Sequence, residues 1–245
     1  MSWRVGRICF AWVACSIWLA PLAPALAQEK SSDQLACEGD SKQYPLERQI
    51  VGCTALLQSE TDISNNKARS VWYRDRGIAY VEKGDYDKAE SDFADANRLN
   101  DKDYEALKGL ALIELQKGDG RMAFAHFSVA LDLMPTDGSL FALRARADDL
   151  LGEPGRSISD LTEALRLSPD SSDYYYRRGA FYYRLKDFDR AVLDFRDSVR
   201  LDPRNAKALY ARGLTETKLG RNAEAKSDTA RAVAIDPNVA ASFAN

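Results

Sequence analysis

The sequence contains few of the residue types and motifs that carry enzyme chemistry. Its 245 residues include one histidine and four cysteines. It has no phosphate-cradling glycine loop, nucleophile elbow, zinc-binding helix motif or paired Cys–His arrangement. No motif places a nucleophile or an orienting carboxylate beside His126. These absences argue against an enzyme, and we expect no catalytic residue, no cofactor and no metal site.

The chain also lacks an excess of positive charge. It has 34 basic and 37 acidic residues, which gives a formal net charge of −3. Nucleic acids and anionic membranes are bound through basic surfaces. The composition therefore predicts no nucleic-acid partner.

The apolar run over residues 8–20 is too short for a comfortable membrane span, which takes about 20 residues. It follows Arg4 and Arg7, and the small-x-small cleavage pattern of a secretory signal comes after it at Ala25-Leu26-Ala27. We expect residues 1–27 to be a cleaved signal peptide. The mature chain would then be a periplasmic or secreted bacterial protein without a stable membrane span. Two alternatives stay open, a retained N-terminal anchor and lipoprotein anchoring at Cys15.

Signal cleavage changes both the charge and the cysteine count. Two arginines and no acidic residue are lost, so the formal charge falls from −3 to −5. Only Cys37 and Cys53 remain, in a chain bound for an oxidising compartment, and we expect them to form a disulfide. The closed loop is worth about 3 kcal/mol in the chain-entropy model. Two sulfurs alone do not make a zinc site, because zinc takes four ligands.

A spacing of 34 residues recurs five times without an insertion. Each unit has a small residue, a large apolar residue and a closing residue that is usually proline, all in fixed register. Self-similarity at this period is typical of stacked helical units rather than of one closed globule. The three series are Ala89, Ala123, Ser157, Ala191 and Ala225; Phe93, Phe127, Leu161, Phe195 and Thr229; and Asp101, Pro135, Pro169, Pro203 and Pro237.

Each unit is predicted to contain two helices joined by a short turn. In the first unit the helices span about 70–83 and 86–99, and Gly84 suits the left-handed residue that ends a helix. Small residues such as Gly77 on the first helices let the two helices approach closely. The large apolar residue then faces the next unit, and Thr229 replaces it where no further unit follows, as in a capping repeat.

These residues resemble the tetratricopeptide repeat. The small-residue pairs, Tyr80 and Tyr182 on the first helices, the large apolar series and the late prolines carry the resemblance. It implies an all-α fold, a right-handed α-solenoid. We expect a covering helix and the disulfide in residues 28–69, and a tail at 240–245. The five expected repeats are residues 70–103, 104–137, 138–171, 172–205 and 206–239.

An arginine on the first helix and an aspartate on the second occur together in four of the five units. The second unit has Leu110 and His126 instead, so both members are lost together. This pattern predicts an Arg–carboxylate bridge between the helices of a unit, and it gives His126 a structural position. The predicted bridges are Arg76–Asp92, Arg144–Asp160, Arg178–Asp194 and Arg212–Asp228.

In the family that the sequence resembles, extended peptides often lie along the concave surface formed by the first helices. On the later units this surface interleaves basic groups with tyrosines, which suits an acidic or C-terminal carboxylate segment. An ordinary solvated face, with charges paired along each helix, is the alternative. The predicted binding residues are Arg146, Tyr176, Arg177, Tyr183, Arg184, Lys207, Tyr210 and Lys218. The first two units offer a mostly aliphatic set, namely Val71, Arg74, Ile78, Val81, Lys108, Leu112 and Leu115.

The leading interpretation is a non-enzymatic periplasmic scaffold that binds a protein or peptide segment on this surface. A self-associating structural or assembly component of the cell envelope is the second interpretation, because exposed repeat ends can stack with another copy. An enzyme is the third and least favoured. Ile78 and Gly109 stand where the family's carboxylate clamp has asparagines, so that particular ligand is not expected.

Overall fold

The computed structural model describes residues 30–39, 43–59 and 65–243, and the predicted signal peptide at 1–27 lies outside them. These residues form twelve α-helices and one short 3₁₀ helix, and they contain no strand. The all-α prediction is confirmed. The α-helices are α1 Ser32–Glu38, α2 Leu46–Gln58, α3 Asn66–Lys83, α4 Tyr86–Leu99, α5 Tyr104–Lys117, α6 Gly120–Leu133, α7 Gly138–Leu150, α8 Pro154–Leu167, α9 Ser172–Arg184, α10 Phe188–Leu201, α11 Ala206–Lys218 and α12 Asn222–Ile235.

Helices α3 to α12 form five consecutive helix hairpins. Each helix packs chiefly on its neighbours along the chain, so every hairpin contacts the hairpins before and after it. This is the nearest-neighbour packing of an α-solenoid. Helix α4 has the predicted bounds, whereas α3 begins four residues before residue 70. The Asn65 side chain accepts a hydrogen bond from the Ala68 backbone at 3.1 Å and caps the longer helix.

The turns inside the hairpins need a residue in the left-handed conformation. Gly84, Gly118, Gly152 and Gly220 supply it, with φ between 73° and 84°. The fourth turn has Lys186 at this position, with φ 63°. A side chain in this conformation is disfavoured by about 1–2 kcal/mol.

The large apolar series fills the seams between hairpins. Phe93, Phe127, Leu161 and Phe195 are all at most 2 % exposed. A methyl group on Gly77 would lie 2.9 Å from the Phe93 ring, and one on Gly109 of the next hairpin would lie 2.6 Å from it. The ring therefore occupies the space left by glycines on both sides.

The two ends of the solenoid are closed differently. At the N-terminal end, α2 packs on α3, and Cys37, Cys53 and Trp72 form one buried cluster. The two sulfurs lie 2.07 Å apart, at bonding distance. At the C-terminal end, a 3₁₀ helix at Val239–Phe243 follows α12 and packs on α11 and α12. None of the described helices is both long and apolar enough to cross a bilayer.

Candidate functional site

The predicted arginine–aspartate partners lie face to face in all four hairpins. In each pair, the arginine Nε and Nη2 both donate to the carboxylate, at 2.5 to 2.8 Å. The aspartates are buried, and their hydrogen bonds raise the pKa of each arginine above its ordinary value. Fork-to-fork pairing of this kind fixes geometry as well as charge.

In two of the bridges the arginine makes a third contact that the sequence pattern did not predict. Arg144 Nη1 donates to Ser128 Oγ at 3.2 Å, and Arg178 Nη1 donates to Thr162 Oγ1 at 3.2 Å. Each hydroxyl belongs to the second helix of the preceding hairpin, so the bridge links two hairpins. In both cases a Ser or Thr stands 16 residues before the arginine, and this spacing could have predicted the contact.

The second hairpin keeps an interhelix contact, between a carboxyl and an imidazole. His126 Nδ1 lies 2.9 Å from Glu114 Oε2, with the acid on the first helix and the imidazole on the second. Because Leu110 and His126 stand at the arginine and aspartate positions of this unit, the sequence pattern predicted no bridge in it. Burial raises the pKa of the Glu114 carboxyl. His126 thus has a structural partner.

The first helices of hairpins three to five line one continuous groove, which we call the α9 groove. A cavity of about 140 Å³ lies between α7 and α9, above Leu161. A second cavity of about 310 Å³ lies between α9 and α11, above Phe195. Tyr176, Ala180 and Arg184, on successive turns of α9, line both cavities. The groove therefore runs across three helices.

Of the eight predicted binding residues, five line these two cavities and three do not. The lining residues are Arg146, Tyr176, Arg177, Tyr183 and Arg184. Tyr210 lies beside the second cavity, where its ring centroid is 5.1 Å from that of Phe243. Lys207 and Lys218 are exposed and line neither cavity.

The groove is less basic than the sequence indicated. Arg184 Nη2 lies 2.7 Å from Asp149 Oδ1 on the neighbouring first helix, and Arg177 Nε lies 2.6 Å from Asp173 Oδ2 on its own helix. Arg146 is exposed and has no ion pair with any residue that the structure describes. This cation can therefore meet a ligand without first losing an internal partner.

Aromatic rings form the floor and walls of the second cavity. Tyr176 lies 6.0 Å from Phe195 in a tilted arrangement, and burial raises the pKa of the Tyr176 hydroxyl. Tyr183 meets Phe188 edge to face at 5.4 Å. Phe195, Leu214 and Phe243 also line this cavity and were not predicted to do so. Phe195 was assigned to the contact between units, and Leu214 and Phe243 belong to none of the predicted series.

The aliphatic surface of the first two hairpins is smaller than predicted. Ile78, Val81, Lys108 and Leu112 do line a cavity of about 340 Å³, whose base is Phe93. Leu115 belongs instead to the buried core cluster around Phe127. Val71 and Arg74 do not line this cavity either. Val71 packs against the Cys37–Cys53–Trp72 cluster, and Arg74 is paired with Asp75 and Asp103.

The family model of the tetratricopeptide repeat matches residues 74–137, 143–205 and 182–240. These segments cover more than half of the chain, and the protein belongs to the tetratricopeptide repeat family. Proteins of this family are typically scaffolds for protein–protein interaction, and they are generally not enzymes. No match was found among curated protein sequences.

Several solved structures share the fold at low sequence identity. MamA 41-end from Desulfovibrio magneticus RS-1 is 16 % identical with a TM-score of 0.63, over 72 % of this chain and 97 % of that one. YrrB, a TPR protein with an unusual peptide-binding site, is 20 % identical with a TM-score of 0.63, over 74 % and 93 %. TTC0263, a thermophilic TPR protein of Thermus thermophilus, is 22 % identical with a TM-score of 0.55, over 71 % and 97 %. At these identities the likeness concerns the fold alone.

Proposed function

We propose that this protein is a non-enzymatic scaffold of the bacterial periplasm that binds a segment of a partner protein in the α9 groove. The observation that carries the proposal is the pair of adjoining cavities, which share one face of α9. They combine tyrosine rings with an arginine that has no ion pair among the described residues. Tyrosine offers rigid contact area and arginine offers forked donors. That YrrB is described as having a peptide-binding site is consistent with this use of the fold.

The chemistry of the groove favours a partner segment that carries a carboxylate. Arg146 has no ion pair with any described residue, so it can bind a carboxylate directly. Arg184 sits where the two cavities join, and its ion pair with Asp149 is largely exposed. Exposed pairs of this kind are worth about 0–1 kcal/mol. A ligand carboxylate can therefore replace Asp149 at little cost.

The periplasmic location is part of the proposal, and it rests on the signal-like residues 1–27 and on the Cys37–Cys53 pair. Cell fractionation followed by mass spectrometry of the intact mature chain tests it. We expect a chain that begins at Gln28 and has no free thiol. A cytoplasmic chain that retains Met1, or two free thiols, would contradict the location.

Cross-linking in intact cells, followed by purification of the mature chain, tests the groove. We compare the wild type with Arg146→Glu and with the double variant Arg177→Ala/Arg184→Ala. Both variants are expected to lose a cross-linked partner that the wild type captures, because they reverse or remove the cations along the groove.

The matched control is Arg166→Ala/Arg200→Ala on the second helices α8 and α10. These arginines are also exposed and are also paired within their own helix, with Glu163 and Asp197. The control should capture the partner as the wild type does. Equal capture by the wild type and by both groove variants would refute binding in the α9 groove.

A further inference from the structure

The C-terminal 3₁₀ helix, Val239–Phe243, places an aromatic side chain of the protein itself at the α9 groove. We propose that this segment is an internal ligand: Phe243 packs on Tyr210 as one wall of the second cavity and is displaced when a partner inserts an aromatic side chain of its own. The part concerning the partner rests on the function proposed above. The part concerning Phe243 rests on contacts within the chain.

Val239 fastens the segment to the solenoid. Its side chain is 1 % exposed and belongs to a buried cluster with Leu209 of α11 and Ala232 of α12. Its backbone amide donates to the Asp236 carbonyl at 3.1 Å, and its own carbonyl accepts from Ser242 Oγ at 2.6 Å. The chain is therefore held at residue 239 and turns tightly from there.

Phe243 lies four residues beyond this anchor and reaches the groove. Its ring is tilted by 42° against the Tyr210 ring, with the centroids 5.1 Å apart. It packs against both the Leu209–Val239 cluster and the cluster formed by Phe195 and Ala211. Ser242 and Phe243 line the second cavity together with Tyr176 and Tyr183. The tail thus forms part of the wall of the site.

The hold on Phe243 is weak compared with the hold on Val239. Phe243 is only partly buried, and no hydrogen bond or ion pair joins residues 240–243 to the α9 groove within the described chain. An apolar contact contributes in proportion to the area that it removes from water. Phe243 can therefore leave the groove while Val239 stays in the core.

The side chain that the groove holds indicates which side chain it can take from a partner. Several aromatic residues line the second cavity, and the 5.1 Å between the Phe243 and Tyr210 centroids lies in the range of favourable aromatic pairs. Arg184 stands at the edge of the same cavity. The occupant that fits is a peptide segment with one aromatic side chain and a carboxylate nearby.

Binding of a peptide to the chain without Phe243 tests the proposal. The probe is a synthetic hexapeptide with the sequence of residues 240–245, AASFAN, titrated into ¹⁵N-labelled mature protein and followed by NMR chemical shifts. We expect it to bind Phe243→Ala about tenfold more tightly than the wild type, because the internal ligand lowers the fraction of open grooves. The shifts should fall on residues of α9 and α11.

Two controls make the result specific. The peptide AASAAN should not bind either protein, since it lacks the aromatic ring. A chain that ends at Ala241 keeps Val239 and should behave like Phe243→Ala, which guards against a substitution that merely unfolds the end of the solenoid. Equal affinity of the wild type and the variants for AASFAN, or no binding to any of them, would overturn the proposal.

Sedimentation equilibrium separates an internal ligand from a tail exchanged between copies. We expect the wild-type mature chain to be monomeric at high concentration. A dimer that dissociates on Phe243→Ala would overturn internal docking. These results are independent of the cross-linking experiment, because peptide exchange at the groove can succeed where no cellular partner is captured, and the reverse also holds.

Discussion

At the scale of single residues, Lys186 is the one non-glycine residue with positive φ in the described chain. Four equivalent turns have glycine there, and nothing lies within 4 Å of the Cβ that a side chain would add at those glycines. The cost at Lys186 is therefore conformational rather than steric. The other four turns have glycine at this position, and at Lys186 the same backbone geometry is kept without one.

Replacement of Lys186 by glycine should stabilise the protein. We expect Lys186→Gly to raise the free energy of unfolding by about 0.5–1 kcal/mol, because relief of the left-handed side chain exceeds the added entropy of glycine. The reciprocal variant Gly152→Lys should lose about 0.5–1 kcal/mol, because the same two effects act in the opposite direction. Urea denaturation followed by circular dichroism measures both. A Lys186→Gly chain no more stable than the wild type would contradict the conformational argument.

A second prediction at this scale concerns Asp75. Burial raises the pKa of its carboxyl from 3.8 to about 6, and this effect outweighs the nearby Arg74, while Glu38 and Glu105 act in the same direction as burial. A carboxyl whose pKa is higher in the folded chain stabilises it below the unfolded pKa, and that stability is lost as the pH rises through the folded pKa. The contribution of Asp75 therefore disappears between about pH 4 and 6.

Asp75→Asn should remove this pH dependence. We expect the variant to gain stability relative to the wild type as the pH rises from about 4 to about 6, with the difference constant above that range. Denaturation at a series of pH values gives the difference directly. Gln116→Ala, which removes an exposed side chain that does not titrate, is the control and should differ from the wild type by a constant amount. A flat difference for Asp75→Asn would refute the burial effect.

At the scale of helices, the arginine bridges hold the two helices of a hairpin and the preceding hairpin together. Arg178 contacts Asp194 on α10 and Thr162 on α8. Loss of one partner leaves the other charge half-buried and unpaired, whereas replacement of both by apolar side chains leaves no unpaired charge. The energetic role of the bridge is therefore visible in the comparison between single and double variants.

Asp194→Ala should be strongly destabilising, and replacement of the whole bridge should be much less so. We expect about 3 kcal/mol for Asp194→Ala, because Arg178 keeps its position without a carboxylate. The double variant Arg178→Met/Asp194→Leu should lie within about 1 kcal/mol of the wild type. Chemical denaturation measures both variants. If the double variant is as unstable as Asp194→Ala, the cost is one of packing and not of an unpaired charge.

At the scale of the whole molecule, the protein is a chain of nearest-neighbour contacts with two unlike ends. The N-terminal end carries Cys37, Cys53 and Trp72 in one buried cluster, and the C-terminal end carries Val239 and Phe243. In such a solenoid, a change at one end alters the stability of the adjacent helices and has little effect on helices further along the stack.

Removal of the two cysteines should therefore loosen one end only. We expect Cys37→Ala/Cys53→Ala to lose up to about 3 kcal/mol of local stability, the entropy of the closed loop. Amide hydrogen exchange should quicken in α1, α2 and α3 and stay unchanged in α9 to α12. Uniformly faster exchange along the chain would instead mean that the solenoid unfolds as one unit.

The sequence allowed the repeat architecture to be predicted because the same contact recurs every 34 residues. Phe93 and Gly77 keep their register in the later units because a large side chain packs against a small residue in each hairpin, and the same contact recurs with Phe195 and Gly179. The arginine–aspartate pairs were readable for the same reason. Helix α1 was not predicted, because it has no counterpart in the repeats. Leu115 was assigned to the surface, because periodicity alone does not show which face of a helix a neighbouring hairpin covers.

The groove could be predicted only in outline. The sequence places Arg177, Tyr183 and Arg184 on a first helix, and that face does line the cavities. It does not show that Arg184 meets Asp149, 35 residues away, nor that Phe243 lies against Tyr210. Both contacts depend on how the hairpins and the tail are arranged in space, and neither follows the repeat.

The 34-residue period by itself determined that the chain folds as stacked helix hairpins, because every unit must bury the same apolar face against the next. Tertiary structure alone decided which charges of the groove are paired and which residues outside the repeats line it. Within the described chain, Arg146 has no ion pair while Arg177 and Arg184 do, and a residue outside the repeats, Phe243, lines the site. The physical reason is separation along the sequence. Local periodicity specifies contacts between neighbouring helices, whereas the groove forms where α7, α9, α11 and the 3₁₀ helix come together.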